Sequence, residues 1–330
     1  MMRPWWVVAV MCVAGMVAEM VYSAEPPVGP SVETSAGWVK HENNPVLGGE
    51  LGTCFDVSLL RDEVSERYRM WFSWRPQQSI ALTESDDGIH WSVPRIVLAP
   101  AKNDWEQDLN RPSVLKKDGV FYMWYTGQAD GESRIGLATS TDGVCWERRS
   151  DHPVMEPELP WEKVAVMCPH VEWDGETGIF RMWYSAGEQY EPNAIGYATS
   201  PDGMAWTKYP APVFVADPDS VWEQHKVTAA QIFRHDGWFL MFYIGFENED
   251  LARIGIARSR DGISRWERHP ANPIISPGHD CWDQNACYKP YVLYDAAEQK
   301  WRLWYNGRSG EAEQIGFATH DGEDLGFPTK

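Results

Sequence analysis

One pattern of about sixty residues recurs five times along this chain, and few folds can accommodate it. Each unit has an aromatic strand, a polar loop and an Ile-Gly-x-Ala-Thr-Ser strand, followed by Asp-Gly and usually Trp. The aromatic segments begin at Tyr68, Tyr122, Arg181, Leu240 and Arg302, and the second segments at Ile80, Ile135, Ile195, Ile254 and Ile315. The Asp-Gly pairs put Gly at 88, 143, 203, 262 and 322, at intervals of 55 to 60 residues. A further apolar segment opens each unit, such as Pro112-Ser-Val-Leu or Pro290-Tyr-Val-Leu.

Each unit therefore holds four short strands rich in aromatic and β-branched residues, separated by turn signals. No segment sustains a 3.6-residue apolar period, so helices should be few. Four strands at this period make one blade of a β-propeller. The fold class read from the repeat is all-β: a five-bladed β-propeller, four antiparallel strands per blade, forming one domain over residues 37–330. The last unit ends at Asp321-Gly322 without the Trp and Pro strand that close the others. Trp38 to Pro45 spans seven residues, as do Trp146 to Pro153 and Trp266 to Pro273. The segment after Trp38 is thus expected as the outer strand of the last blade, covering two open sheet edges.

Residues 1–24 read as a secretory signal peptide: Arg3, an apolar run from Trp5 to Ala18, then the small pair Ser23-Ala24. Residues 25–36 read as a linker. The expected location is secreted or periplasmic, with no membrane span after cleavage. Export permits disulfides, yet the remaining Cys54, Cys145, Cys168, Cys281 and Cys287 are odd in number, so at least one thiol has no partner within the chain. Cysteine and histidine spacings match no zinc set, and no cofactor is expected. A structural Ca2+ stays open, because oxygen-ligand sites leave little trace in sequence. A net charge of −19 repels phosphate backbones and argues against nucleic acid as partner.

A repeat separates scaffold from function: what recurs in every unit is scaffold, and what breaks the pattern at the axis is a candidate for chemistry. The pairs Trp105-Glu106, Trp161-Glu162, Trp222-Glu223 and Trp282-Asp283 recur four times and read as structural, as do the Asp-Gly turns and most of the 19 Trp. Aligning the opening strands on Pro112, Pro169 and Pro290 makes Val57 their counterpart in the first unit. The preceding residues are then Asp56, Arg111, Cys168 and Lys289, a mixed set at a cleft. The second unit adds Asp108 and Asn110, the third His170, the fourth His225 with Lys226, and the fifth Asn285. The loops between second and third strands reach the same face. Among them Glu188 follows its strand directly and ranks ahead of Gln128, Asp130, Glu132, Glu247, Glu249 and Asp250.

The run Met123-Trp-Tyr-Thr-Gly127, the run Arg134-Ile-Gly-Leu-Ala-Thr-Ser140 with Asp142-Gly143 and Trp146, and Asn43-Asn-Pro-Val-Leu47 resemble five-bladed glycosidases. These include glycoside hydrolase families 43, 62, 32, 68, 117 and 130. In family 43 an Asp opening the first inner strand is the general base, and Asp56 matches that position. The family's acid falls at Met167 and its pKa-modulating Asp at Ser113, so both depart. The fructosidase Arg-Asp-Pro motif is only approximated by Asn110-Arg111-Pro112. Glycoside cleavage needs two carboxyl groups. Asp56 is the expected base or nucleophile, with Glu188 as acid and Asp108 as second choice. Arg111, His225, Lys289, His170, Asn110 and Asn285 are expected to bind substrate, an oligosaccharide or polysaccharide. The cations Arg111, His225 and Lys289 also admit an anionic sugar, or phosphate and hence phosphorolysis. The rivals are a non-catalytic carbohydrate-binding propeller and a protein-interaction propeller.

Overall fold

The computed structural model describes residues 33–328 except 63, 102, 103 and 189–191. The leader expected over residues 1–24 lies outside them, as does most of the 25–36 linker. Helix is confined to four 3-10 turns of three residues among the described residues. The rest is strand and loop.

The strands form five antiparallel arrays in chain order. The first comprises Cys54–Arg61, Tyr68–Trp74, Ser79–Ser85 and Arg95–Leu98. The second comprises Asp108–Lys117, Val120–Ala129, Glu132–Ser140 and Glu147–Arg148. The third comprises Ala165–Asp174, Ile179–Gly187 and Pro192–Ser200, with two short outer strands, Thr207–Lys208 and Phe214–Val215. The fourth comprises Lys226–His235, Trp238–Phe246, Ala252–Ser259 and Glu267–Arg268. The fifth comprises Ala286–Asp295, Lys300–Ser309 and Ala312–Asp321. Its outer strand is Trp38–Lys40, which pairs Trp38 with His320 and Lys40 with Ala318.

Tryptophan joins four of the five arrays to the next. The indole N–H of Trp71 donates to Gly143 O, that of Trp124 to Gly203 O and that of Trp183 to Gly262 O, at 2.7 to 3.0 Å. Trp304 of the fifth array donates to Gly88 O of the first at 2.8 Å. The fourth array has Phe242 at this position and lacks the bond. These four indoles are fully buried, so they are packing elements and not sugar platforms. The Gly of each Ile-Gly step answers a packing need: a Cβ at Gly136 or Gly196 would come within 2.5 Å of the Tyr125 or Tyr184 ring.

The Trp-acid pairs are structural. Glu106, Glu162, Glu223 and Asp283 are at most 1% exposed. Each accepts from the tyrosine of its second strand: Tyr125, Tyr184, Tyr243 or Tyr305, at 2.7 to 3.1 Å. Each also meets one cation of the outer strand: Arg148, Lys208, Arg268 or Lys40, at 2.7 to 2.8 Å. A buried carboxylate needs such partners. The Trp-x-cation triplets at 146–148, 206–208 and 266–268 thus have their fifth-array equivalent in Trp38-Val39-Lys40.

The opening strand of every array carries the same irregularity. Between Phe55 and Ser58, Asn110 and Ser113, Met167 and His170, Thr228 and Gln231, and Tyr288 and Tyr291, two residues face one on the partner strand. The first bulged residue is left-handed each time: Asp56, Arg111, Cys168, Ala229 and Lys289, with φ from +49° to +55°. That conformation is unfavourable for non-glycine residues and needs support from its surroundings. At four of the five it is held from the preceding array. Ser73 Oγ accepts the Arg111 N–H, Thr126 Oγ1 that of Cys168 and Ser185 Oγ that of Ala229. Asn306 Oδ1 of the fifth array accepts that of Asp56 in the first.

Candidate active site

A cavity of about 610 Å3 opens where these bulges converge. Its floor includes Asp56, Arg111, Cys168 and Ala229, and its walls Arg75, Asp108, Lys226, Tyr288, Arg308 and Glu313. The volume suits a small sugar.

Asp56, 4% exposed, is fixed from two sides. Arg111 Nε lies 3.1 Å from its Oδ2, and Asn306 Nδ2 donates to its Oδ1 at 3.0 Å. Arg111 is oriented in turn by Asn110, whose Oδ1 accepts from Nη1 at 2.6 Å. Asn110 is buried behind Arg111, and its Nδ2 donates to Gln128. It therefore positions the guanidinium and does not line the cavity.

Asp108 lines the same cavity. Desolvation raises its pKa, with Arg75 and Arg111 opposing that rise. This is the environment a protonated acid requires. Glu313 is a third carboxyl group, accepting from Tyr288 Oη and lying 3.5 Å from Arg75 Nη2. Burial, reinforced by the Glu313 charge, keeps the Tyr288 phenol well above its ordinary pKa and so protonated as donor. Lys226 is 2% exposed, and desolvation lowers its pKa to about 8.

Three expected site residues lie elsewhere. Glu188 is exposed and pairs with Lys163 outside the cavity. Gly187, at φ +139°, turns the chain away at the strand end. His225 is also exposed and lies in a bend just before the strand that opens with the buried Lys226. Asn285 is exposed and accepts the Gly310 N–H at 2.7 Å, which holds a turn. His170 and Lys289 are 9% and 5% exposed, with Lys289 charge reaching both Cys168 and His170. They lie beyond the cavity lining, close to its floor.

Arg75, Tyr288 and Glu313 were not anticipated from sequence. Glu313 is the second residue of the third strand of the fifth array, and Arg75 opens the 3-10 turn directly after the second strand of the first. A search for acids just past a second strand reaches neither. All five cysteines of the described residues are free, including Cys281 and Cys287, whose thiols both face Asp283. Among the described residues no three His, Cys, Asp or Glu side chains gather as a metal set.

The chain is all-β, with acids and cations lining one cavity of a size that suits a small sugar. Residues 63–223 match the model of the glycosyl hydrolases family 32 N-terminal domain. A 1,2-beta-oligomannan phosphorylase of Thermoanaerobacter sp. (strain X514) is 28% identical over 243 residues, 65% of this chain and 73% of that protein. A beta-1,2-mannobiose phosphorylase of the same organism is 30% identical over 139 residues, 37% of this chain and 44% of that protein. The fold matches a thermostable family-43 glycoside hydrolase with TM-score 0.67 and 19% identity, over 83% of this chain and 91% of the other. It matches equally, at TM-score 0.67 and 15% identity, a structure from the family-130 mannoside phosphorylases, a family described as containing glycoside hydrolases that target beta-1,2 mannosidic linkages in Candida mannan. That match covers 91% of this chain and 98% of the other. In fold, and in sequence over part of its length, the chain is similar to the propeller glycosidases and mannoside phosphorylases.

Proposed function

We propose that this protein is an exported enzyme that cleaves glycosidic bonds of an oligosaccharide in the axial cavity of a five-bladed propeller. The five arrays are its blades, residues 37–330 its single domain and residues 1–24 its signal peptide. The observation that carries the reading is the pair of unlike carboxyl groups at one cavity: Asp56, clasped by Arg111 and Asn306, and Asp108, desolvated and raised in pKa. Asp108 protonates the leaving oxygen. Asp56 takes the proton of an attacking water, or attacks directly. A desolvated carboxyl group and an ion-paired one at the same cavity suit the roles of acid and base. The reaction uses protein groups alone.

Phosphorolysis is the second reading, favoured by Arg75, Lys226 and Arg308 around the cavity and by the phosphorylase relatives. Phosphate would then replace water and need no base. Incubation with β-1,2-linked mannooligosaccharides and a wider glycan panel, with and without phosphate, separates the two. Free reducing sugar without phosphate supports hydrolysis, and a sugar 1-phosphate formed only with phosphate supports phosphorolysis. Cleavage should vanish in Asp108→Asn under either reading, and in Asp56→Ala if water is the nucleophile. Tight glycan binding without turnover would instead favour a binding propeller, consistent with Met167 at the family-43 acid position. N-terminal sequencing of the secreted protein tests cleavage after Ala24.

A further inference from the structure

Glu313, Arg75 and Asp108 come from the fifth, first and second arrays, and all three line the axial cavity. Main-chain contacts hold the segments together. Thr53 O accepts the Arg75 N–H at 3.1 Å, and Thr53 Oγ1 accepts the Glu313 N–H at 3.4 Å. The 3-10 turn that Arg75 opens is closed by Gln78, whose carbonyl accepts the N–H of Leu109, the neighbour of Asp108, at 3.1 Å. Within this frame Glu313 Oε2 lies 3.5 Å from Arg75 Nη2, and the Arg75 guanidinium lies over the Phe55 ring at 4.4 Å. The hydroxyl of Tyr288 donates to Glu313 Oε1.

The remaining charges of the cavity are engaged elsewhere. Arg111, which also faces Asp108, is paired with Asp56. Arg308 donates to Asp250 O at 2.9 Å. Lys226 feels the charges of Glu249 and Asp250, and Asp130 is exposed to water. Arg75 is the leading charge that favours ionised Asp108. Its own counter-charge therefore matters to the acid.

We propose that Glu313 is a positioning residue for Asp108: it holds the Arg75 guanidinium in an ion pair, limits how much of that positive charge reaches the acid, and so keeps Asp108 able to carry the proton. The proposal rests on the reading of Asp108 as acid. Removing the Glu313 charge leaves Arg75 to act on Asp108 unopposed and also removes a negative field, and both changes favour the carboxylate.

The test is 13C NMR titration of the protein labelled at its aspartate carboxyl groups, with the Asp108 signal identified by its loss in Asp108→Asn. Asp108 in Glu313→Gln should titrate lower by about half a pH unit, because Arg75 is partly solvated. Glu313→Asp should shift it less, in the same direction. In an Arg75→Met background the effect of Glu313→Gln should fall by half or more. The alkaline limb of kcat/KM, on whichever panel glycan is cleaved, should follow the NMR shift. An Asp108 signal that does not move, or moves upward, overturns the proposal, as does a shift equally large without Arg75. Should Glu313→Gln fail to fold, Glu313→Asp decides by the same criteria. Cleavage that survives Asp108→Asn overturns the acid reading instead, which the titration does not depend on.

Discussion

Asn306 and Asp56 hold each other at two points: Asn306 Oδ1 accepts the Asp56 backbone N–H, and Asn306 Nδ2 donates to Asp56 Oδ1, both at 3.0 Å. One contact fixes the left-handed bulge and the other aims the carboxylate. Asn306→Ala leaves a buried N–H unsatisfied, at a cost of about 1–3 kcal/mol. Asn306→Ser should recover most of the stability, because serine accepts the same bond at Ser73 and Ser185. It should not recover cleavage, because the carboxylate stays unaimed. Thermal melts and kcat of the two variants check this.

Asp108 acts while protonated, so activity should fall as pH rises through its raised pKa. Arg75 is the leading charge holding that pKa down. Arg75→Met should therefore raise it further and move the alkaline limb of kcat/KM to higher pH. Asp108→Asn should lose about 10^2–10^4-fold on natural glycans and far less on aryl glycosides with good leaving groups. A pH–rate profile with both substrate types separates an acid from a mere ligand.

Glu172 gives a stability signal away from the cavity. Desolvation raises its pKa to about 7, against the opposing charge of Arg234. The folded state thus binds more protons than the unfolded state between the ordinary glutamate pKa of about 4.3 and neutrality. Its contribution is present below that window and lost as pH rises through it. Glu172→Gln should be stabilising above pH 7, by on the order of 1–3 kcal/mol, and without benefit near pH 4. Denaturant melts at the two pH values test the sign.

Lys40 is the cation of the buried Asp283, at 2.7 Å. Lys40→Met leaves that carboxylate with Tyr305 and the Gly278 N–H as donors but without a counter-charge. Breaking such a pair costs about 3–5 kcal/mol. Because Lys40 belongs to the Trp38–Lys40 strand, hydrogen exchange should rise first at Trp38–Lys40 and Ala312–Asp321.

The scaffold was legible because the chain states it five times: strand order, buried Trp71, Trp124, Trp183 and Trp304, and the Trp-acid pairs all follow from repetition. Asp56, Arg111 and Asp108 were legible because they break the pattern beside a recurring proline slot. Glu188 was misplaced because a position just past a strand does not fix which way the chain leaves it. Gly187 and Lys163 decided that locally. His225 was preferred as a ligand on chemistry, but it lies in the bend outside the strand whose first residue, Lys226, lines the cavity. Arg75, Tyr288 and Glu313 converge only through three-dimensional packing of the first and fifth units, whose sequence separation hides it.

At four of its five occurrences the left-handed bulge is held by a polar side chain of the neighbouring array that accepts its main-chain N–H, whichever side chain occupies it; at Lys289 the counterpart is Ile244 and the bulge forms without that bond. Aspartate, arginine, cysteine, alanine and lysine all adopt it in one molecule. Evolution can therefore rewrite the catalytic lettering one position at a time while the architecture stays unmoved. One repeated frame can thus carry different chemistries through substitutions at the four bulged positions that line the cavity, which offers an experimenter the same short combinatorial library.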